Sequence, residues 1–109
     1  MSITVNIRYI GINGNARRFA REMTESGTVA KIRSEKGNLG YEYFVPLEDD
    51  ESVLLIDSWK NQEAIDAHHA SPMMKIIADL REKYNLHMKV DRFVYDADIL
   101  KTDRQFIRK

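Results

Sequence analysis

The chain contains no cysteine, only two prolines and no net charge. The absence of cysteine excludes disulfides, thiolate nucleophiles and cysteine-based metal sites. Seventeen basic residues balance seventeen acidic ones, so no overall basic field favours nucleic acid or an anionic membrane as a partner. No apolar run approaches the roughly 20 residues of a membrane-spanning helix. The N-terminus lacks the cationic start and apolar core of a targeting peptide, which favours a cytoplasmic protein.

The length of 109 residues is that of one domain. We place this domain at residues 1–96 and a charged C-terminal tail at residues 97–109. The tail is predicted either to be disordered or to lie on a partner subunit, and the sequence does not choose between these alternatives.

The stretch from Ser52 to Met73 organises the predicted fold. It opens with the apolar run Val53-Leu54-Leu55-Ile56, which has the length and the branched side chains of a strand ending near Trp59. Asn61 then stands where a helix N-cap is expected. Ser71-Pro72 is predicted to stop that helix and start another, with Ser71 as N-cap and Pro72 as the first helical residue.

Periodicity predicts the remaining elements. Apolar residues alternate in three further strands and recur at helical spacing in two further stretches, listed here in chain order: strand Ile3–Ile10, helix Ala16–Met23, strand Leu39–Val45, the helix after Pro72, and strand Leu86–Tyr95. Asn13 or Asn15 can cap the first helix. Its pattern can continue to about Arg33, in which case Gly27 either breaks it or allows a close approach to the sheet.

The resulting order is β-α-β-β-α-α-β, which predicts an α+β ferredoxin-like sandwich. In this fold a four-stranded antiparallel sheet carries its helices on one face. Several strands are apolar at both parities, as in Leu54 and Ile56 against Val53 and Leu55. A sheet that is apolar on both faces needs a second cover, so we predict a homodimer packed sheet to sheet.

Four segments carry a resemblance to a known family. They are Gly37-Asn38-Leu39-Gly40-Tyr41-Glu42, Leu55-Ile56-Asp57-Ser58-Trp59, Glu63-Ala64-Ile65-Asp66-Ala67-His68 and Ala70-Ser71-Pro72. Together they resemble the antibiotic biosynthesis monooxygenase domain over nearly the whole chain, from about Ile3 to Val94. The resemblance implies a dimeric α/β barrel whose members include cofactor-independent oxygenases of quinols and phenols, haem-degrading proteins and proteins that process a small signalling molecule.

The resemblance implies a cofactor-independent monooxygenase that oxidises a small quinol or phenol with molecular oxygen. In this interpretation His68, which helical spacing places inward, or a pocket tyrosine is the general base, since imidazole suits that role near neutral pH. Asn6 and Trp59 would stabilise the substrate oxyanion through their N–H groups. His69 lies about 100 degrees further round the helix and is predicted to face solvent.

Tyr41, Tyr43, Tyr84 and Met73 complete the candidate pocket as substrate-binding residues. Each of the candidate residues also has an ordinary structural interpretation, namely core packing or a buried hydrogen bond for Trp59, His68, the tyrosines and Met73, and an edge or interface position for Asn6. Two other functions remain open. One is an isomerase or lyase that acts on a small polyoxygenated carbonyl compound. The other is a non-catalytic dimer that binds a small ligand or takes part in a stress response.

No cofactor or metal is predicted. His68 and His69 are adjacent on a helix and point in different directions, so they cannot chelate one ion as an i, i+4 pair would. The segment Gly11-Ile12-Asn13-Gly14-Asn15 lacks the third glycine of a dinucleotide loop. The haem-degrading branch of the resembled family carries a haem-ligating histidine after Ser-Pro, whereas Met73 to Asn85 contains none.

Overall fold

The computed structural model describes residues 1–96, 98 and 100–109. Within them the chain forms four strands and five helices. In chain order they are β1 (Ile3–Ile10), α1 (Asn15–Glu25), α2 (Thr28–Arg33), β2 (Asn38–Phe44), β3 (Ser52–Trp59), α3 (Gln62–His69), α4 (Met73–Lys83), β4 (His87–Val94) and α5 (Lys101–Arg104). The predicted domain boundary at residue 97 and the tail residue Ile99 lie outside the described residues.

The four strands form one antiparallel sheet in the order β2-β3-β1-β4. This confirms the predicted α+β ferredoxin-like fold. Helices α1 to α4 cover one face, where the odd-numbered residues of β1 and β3, among them Tyr9, Leu55 and Trp59, join the helical core around Phe19 and Ile65. We call this the covered face and the opposite one the open face. No helix in the described residues combines the length and the apolar character needed to cross a membrane.

The first helical stretch is broken at Gly27, which is the first of the two alternatives that the sequence left open. Gly27 has φ 83°, a left-handed conformation that suits glycine, and α2 begins directly after it. A Cβ atom at this position would meet nothing within 4 Å, so the glycine does not serve a close approach to the sheet.

Two predicted helix caps were wrong. Neither Asn13 nor Asn15 caps α1, because Gly14 occupies the N-cap position and the carboxylate of Glu51 accepts from the N–H groups of Asn13 and Gly14 at 2.7 and 3.1 Å. Ser71 does not cap α4 either. Its hydroxyl donates to the carbonyl of His68 at 2.7 Å, which satisfies the end of α3.

Candidate active site

Trp59 and His68 meet where β3 passes into α3. Trp59 is the last residue of β3 and is 1% exposed. Asn61 caps α3 as predicted, since its side chain accepts from the N–H of Ala64 at 2.9 Å. Nearly two turns later His68 points inward, as predicted, and its ring stacks on the indole of Trp59 with centroids 4.7 Å apart.

Glu35 holds one nitrogen of the His68 ring. Its Oε2 lies 2.8 Å from Nδ1 of His68, although the two residues are 33 positions apart in sequence. A carboxylate at this distance favours the tautomer in which Nδ1 carries the proton and donates. Nε2 is then left as an acceptor, and it has no hydrogen-bond partner among the described residues.

Gly37 brings Glu35 close to α3. Gly37 has φ 86°, and a Cβ atom there would lie 2.5 Å from Cβ of Ala64. The turn between α2 and β2 can therefore pack directly on α3 only because this residue lacks a side chain. The carbonyl of Gly37 also accepts from the N–H of Lys60 at 2.8 Å, which ties the turn to the end of β3.

Asp57 occupies the covered face of β3, two residues before Trp59. Its side chain is 6% exposed, and its Oδ2 accepts from the indole Nε1 of Trp59 at 2.6 Å. Its Oδ1 is buried and has no hydrogen-bond partner in the described part of the chain. Burial raises the pKa of Asp57 above its ordinary value, and the indole hydrogen bond opposes that rise.

Asp57, Trp59 and His68 border a cavity of about 220 Å³ between the covered face and helices α3 and α4. Its walls are mainly apolar, from Val5, Ile7, Leu55, Ile65, Met74 and Ile77, and its polar lining comes from Tyr9, Tyr41, Asp57, His68, His69, Arg81 and Arg92. An engineered apolar cavity of about 150 Å³ holds benzene in another protein. The present cavity therefore has room for one substituted aromatic ring.

The two tyrosines of the lining are hydrogen-bond donors rather than bases. Burial raises the pKa of Tyr9 to about 12 and also raises the pKa of Tyr41. A phenol in such surroundings stays protonated at neutral pH. His68 and His69 both line the cavity, and His68 is the one whose ring a carboxylate holds, at 2.8 Å from Nδ1.

Three of the seven predicted site residues line the cavity, namely His68, Trp59 and Tyr41. Trp59 lines the cavity, but its indole N–H does not have the predicted role of donating to a substrate oxygen. That N–H donates to Asp57 instead. His69 was predicted to face solvent and is exposed, and its ring also borders the cavity mouth.

The other four predicted residues do not line the cavity. Asn6 pairs with Ile56 and Asp91, so it lies on the open face, opposite the cavity residues Val5 and Ile7. This placement follows from strand alternation, and it separates Asn6 from the predicted oxyanion.

Tyr84, Tyr43 and Met73 are held elsewhere. The hydroxyl of Tyr84 donates to Glu22 of α1 at 2.6 Å, beyond the far end of α4. Tyr43 packs against Phe19 and the edge of Tyr41. Met73 is half-buried against the core, and the cavity wall takes Met74 instead.

Sequence reasoning missed Asp57 and Glu35 as site residues. Asp57 had a detectable signal, because a carboxylate interrupts the apolar parity of Val53, Leu55 and Trp59 on a buried strand. Glu35 had no such signal, because it lies in a polar turn far from His68 in sequence.

Within the described ranges, no group of three or more His, Cys, Asp or Glu side chains is arranged to hold a metal ion.

Comparison with solved structures gives close matches in fold. A proposed antibiotic biosynthesis monooxygenase from Deinococcus radiodurans superposes with a TM-score of 0.76 at 20% identity, covering 92% of this chain and 97% of that one. PA3566 from Pseudomonas aeruginosa gives 0.75 at 23%, covering 88% and 95%. A variant of SnoaB, a cofactor-independent oxygenase from Streptomyces nogalater, gives 0.74 at 16%, covering 92% and 97%. At these identities the matches establish the fold alone.

Comparison with curated protein sequences finds no match. The family model for antibiotic biosynthesis monooxygenases, in contrast, matches residues 2–79. That range takes in β1 to β3, α3 with His68, and the first part of α4. The chain therefore belongs to the antibiotic biosynthesis monooxygenase family.

Proposed function

We propose that this protein is an oxygenase that oxidises a small phenol or hydroquinone with molecular oxygen and without a cofactor. The observation that carries the proposal is that His68 lines an aromatic-sized cavity while Glu35 holds its Nδ1 atom, which leaves Nε2 without a hydrogen-bond partner in the described residues. Family membership supports the reaction class, and SnoaB, which shares the fold, is described as a cofactor-independent oxygenase.

The first step is removal of the phenolic proton. Nε2 of His68 accepts this proton from a hydroxyl group that enters the cavity, and the ring becomes an imidazolium. The carboxylate of Glu35 holds the ring in the required tautomer and stabilises the imidazolium charge, as the acidic member does in nucleophile–histidine–acid triads. Stacking on Trp59 keeps the ring in place.

The second step is oxidation of the phenolate, in which the substrate itself is the reductant. The phenolate of a hydroquinone passes one electron to O₂, and the semiquinone and superoxide combine at a ring carbon to form a hydroperoxide. Cleavage of the O–O bond releases water and leaves one oxygen atom on the ring. The balance is hydroquinone plus O₂ to hydroxyquinone plus water. The apolar walls at Leu55, Ile65 and Ile77 keep other water away from these intermediates.

The apolar wall also favours this reaction over the isomerase or lyase alternative. A polyoxygenated carbonyl compound would need hydrogen-bonding partners around its whole surface, because unpaired polar groups are costly to bury. Here apolar side chains form most of the surface that lines the cavity.

We further propose that two copies pack through their open faces. Ile10, Phe44 and Phe93 lie on this face and are 43%, 42% and 52% exposed. Exposed apolar side chains on a sheet face that no helix covers mark an association surface. The cavity lies on the other side of the sheet, so each copy would carry its own site.

The function is tested by oxygen uptake with hydroquinone as substrate. The expected result is one O₂ consumed and one hydroxyquinone formed per hydroquinone, above the rate of uncatalysed oxidation, in protein treated with a metal chelator. Uptake no faster than the uncatalysed rate would contradict the activity. A visible-absorbing group that co-purifies at one per chain would contradict cofactor independence.

A further inference from the structure

Two guanidinium groups in the lining of the cavity have only neutral partners. Arg81 of α4 and Arg92 of β4 both line it. Nη1 of Arg81 donates to the sulfur of Met88 at 3.0 Å, and Nη2 of Arg92 donates to the amide oxygen of Gln62 at 2.7 Å. Neither arginine forms an ion pair with a carboxylate of the described residues. A thioether and an amide carry no charge, so both positive charges are left without a counter-charge.

The sequence of the two elements explains why these arginines are unpaired. Residues three and four positions away on a helix are neighbours, and around Arg81 none of them is acidic: they are Ile77, Ala78, Tyr84 and Asn85. By contrast, Lys75 of the same helix pairs with Asp79 at 2.8 Å. On β4, Arg92 lies opposite the apolar Val5. A counter-charge for either arginine would therefore have to come from another part of the molecule or from a ligand.

The described residues that line the cavity include one acid, Asp57. Its Oδ2 accepts from the indole of Trp59, and burial raises its pKa, which favours the neutral form. Two permanent positive charges thus face at most one negative charge. The charge of Arg81 acts within the cavity, because it opposes the rise that burial gives to the pKa of Tyr9. This local excess of positive charge, in a chain without net charge, favours an anionic group on the ligand.

Both guanidinium groups are accessible from solvent. Arg81 is half-buried and Arg92 is exposed. Met88 and Val90 of β4 also line the cavity, and they are 39% and 48% exposed. The cavity therefore opens to solvent beside β4, where a ligand that enters passes the two arginines.

We propose that Arg81, assisted by Arg92, binds a carboxylate group of the aromatic molecule whose hydroxyl group gives its proton to His68. This inference rests on the proposed function and narrows its substrate class from phenols in general to phenolic acids. A carboxylate suits the position because its two oxygens accept two N–H bonds from one guanidinium group. It is also small enough to accompany a single ring in a cavity of about 220 Å³.

The experiment compares acids with neutral amides of the same shape by calorimetry under anaerobic conditions. The probes are 3- and 4-hydroxybenzoate with 3- and 4-hydroxybenzamide, so that two separations of hydroxyl and carboxylate are covered. Without oxygen no turnover occurs, and the dissociation constants report binding alone. We expect at least one acid to bind about tenfold or more tightly than the corresponding amide, the effect of a hydrogen bond between charged groups. The preference should decrease as salt is added, because salt screens charges that meet solvent.

Variants of the arginines sharpen the comparison. Arg81→Met keeps an unbranched side chain without the charge, and it should weaken binding of the acid about tenfold while binding of the amide stays the same. Arg81→Lys should retain part of the preference, since it keeps the charge and loses the planar fork. Arg92→Met should have a smaller effect, because solvent screens an exposed charge. Arg21→Met is the control, since it removes an exposed arginine of α1 that does not line the cavity.

The outcomes separate this inference from the proposed function. A preference for the acid that disappears in Arg81→Met and persists in Arg21→Met supports the inference. Equal binding of acids and amides to the unaltered protein, or a preference unchanged in Arg81→Met, overturns it while the phenol site stands. Failure of all four probes to bind contradicts the proposed function and this inference with it. If Arg81→Met binds neither ligand, Arg81→Lys decides, since a preference for the acid there supports the inference and its absence overturns it.

Discussion

The two faces of the one sheet differ in what their residues contact. On the covered face, Val53, Leu55 and Trp59 are at most 1% exposed. On the open face, Phe44 and Phe93 are 42% and 52% exposed. Along β3 itself the faces alternate, and Leu54 and Ile56 on the open face are half-buried, whereas the outer strand β4 is exposed on both faces. The difference along β3 arises because helices cover one face only.

The polar side chains of the two faces also differ in their hydrogen bonds. On the open face they pair with each other, as Thr4 does with Ser58 at 2.9 Å and Arg8 does with Ser52 at 2.9 Å. The buried Oδ1 of Asn6 is an exception, since it has no partner in the described residues. On the covered face, Asp57 and His68 line the cavity, and within the described part of the chain each keeps one side-chain atom without a hydrogen-bond partner. We infer that the covered face carries the chemistry and the open face carries the association.

The largest expected effect comes from removing the proposed base. His68→Ala should lower the turnover of hydroquinone per folded molecule by about 10²- to 10⁴-fold, the usual contribution of an acid–base group. His87→Ala is the matched control, because His87 is exposed and pairs with Ile10 on the open face. Steady-state oxygen uptake measures both. If His68 is only structural, turnover per folded molecule stays the same while the free energy of unfolding falls by about 1–3 kcal/mol.

Two adjacent leucines of β3 compare the faces directly. Leu55→Ala should lower the free energy of unfolding by about 2–5 kcal/mol, as expected for a fully buried leucine, at every protein concentration. Leu54→Ala should cost less, and its cost should grow with protein concentration, because Leu54 would be buried fully only when two copies associate. Denaturant unfolding at several concentrations measures this, and concentration-independent costs for both variants would argue against an interface on the open face.

Association itself is tested at Phe44. The unaltered protein should sediment with the mass of two chains at micromolar concentration, and Phe44→Lys should halve that mass by placing a charge in an apolar interface. Ile12→Lys is the control, since Ile12 is an exposed apolar residue of the loop before α1. A single-chain mass for the unaltered protein would refute the dimer.

The smallest expected effect is the pH dependence contributed by Asp57. Because the pKa is raised in the folded state, the folded protein binds the proton more tightly, and stability falls as pH rises from about 4, the ordinary value, through the raised pKa. Asp57→Asn has no such group. As the pH rises through this range, the free energy of unfolding of the variant should therefore increase relative to that of the unaltered protein. Urea unfolding at a series of pH values measures both. A constant difference would contradict the raised pKa.

The fold was predictable because its signals are local. Alternation in β1 and β3, the Asn61 cap and the inward spacing of His68 depend on residues within a few positions of each other. The alternation of residues along β1 and β3 also indicated the faces of Asn6 and Asp57, and the sequence analysis did not use these two indications. Asn6 has the parity opposite to the apolar residues of β1, and Asp57 shares the parity of Leu55 and Trp59.

The sequence by itself determined the four strands, the helices that cover them and the inward direction of His68, because side-chain periodicity follows from local backbone geometry. Only the tertiary structure decided which groups meet. Glu35 reaches His68 because Gly37 lets a distant turn pack on α3, Trp59 donates to Asp57, and Tyr84 is bound to Glu22 of α1. Contacts between residues far apart in the chain depend on how whole elements pack, which no local pattern encodes.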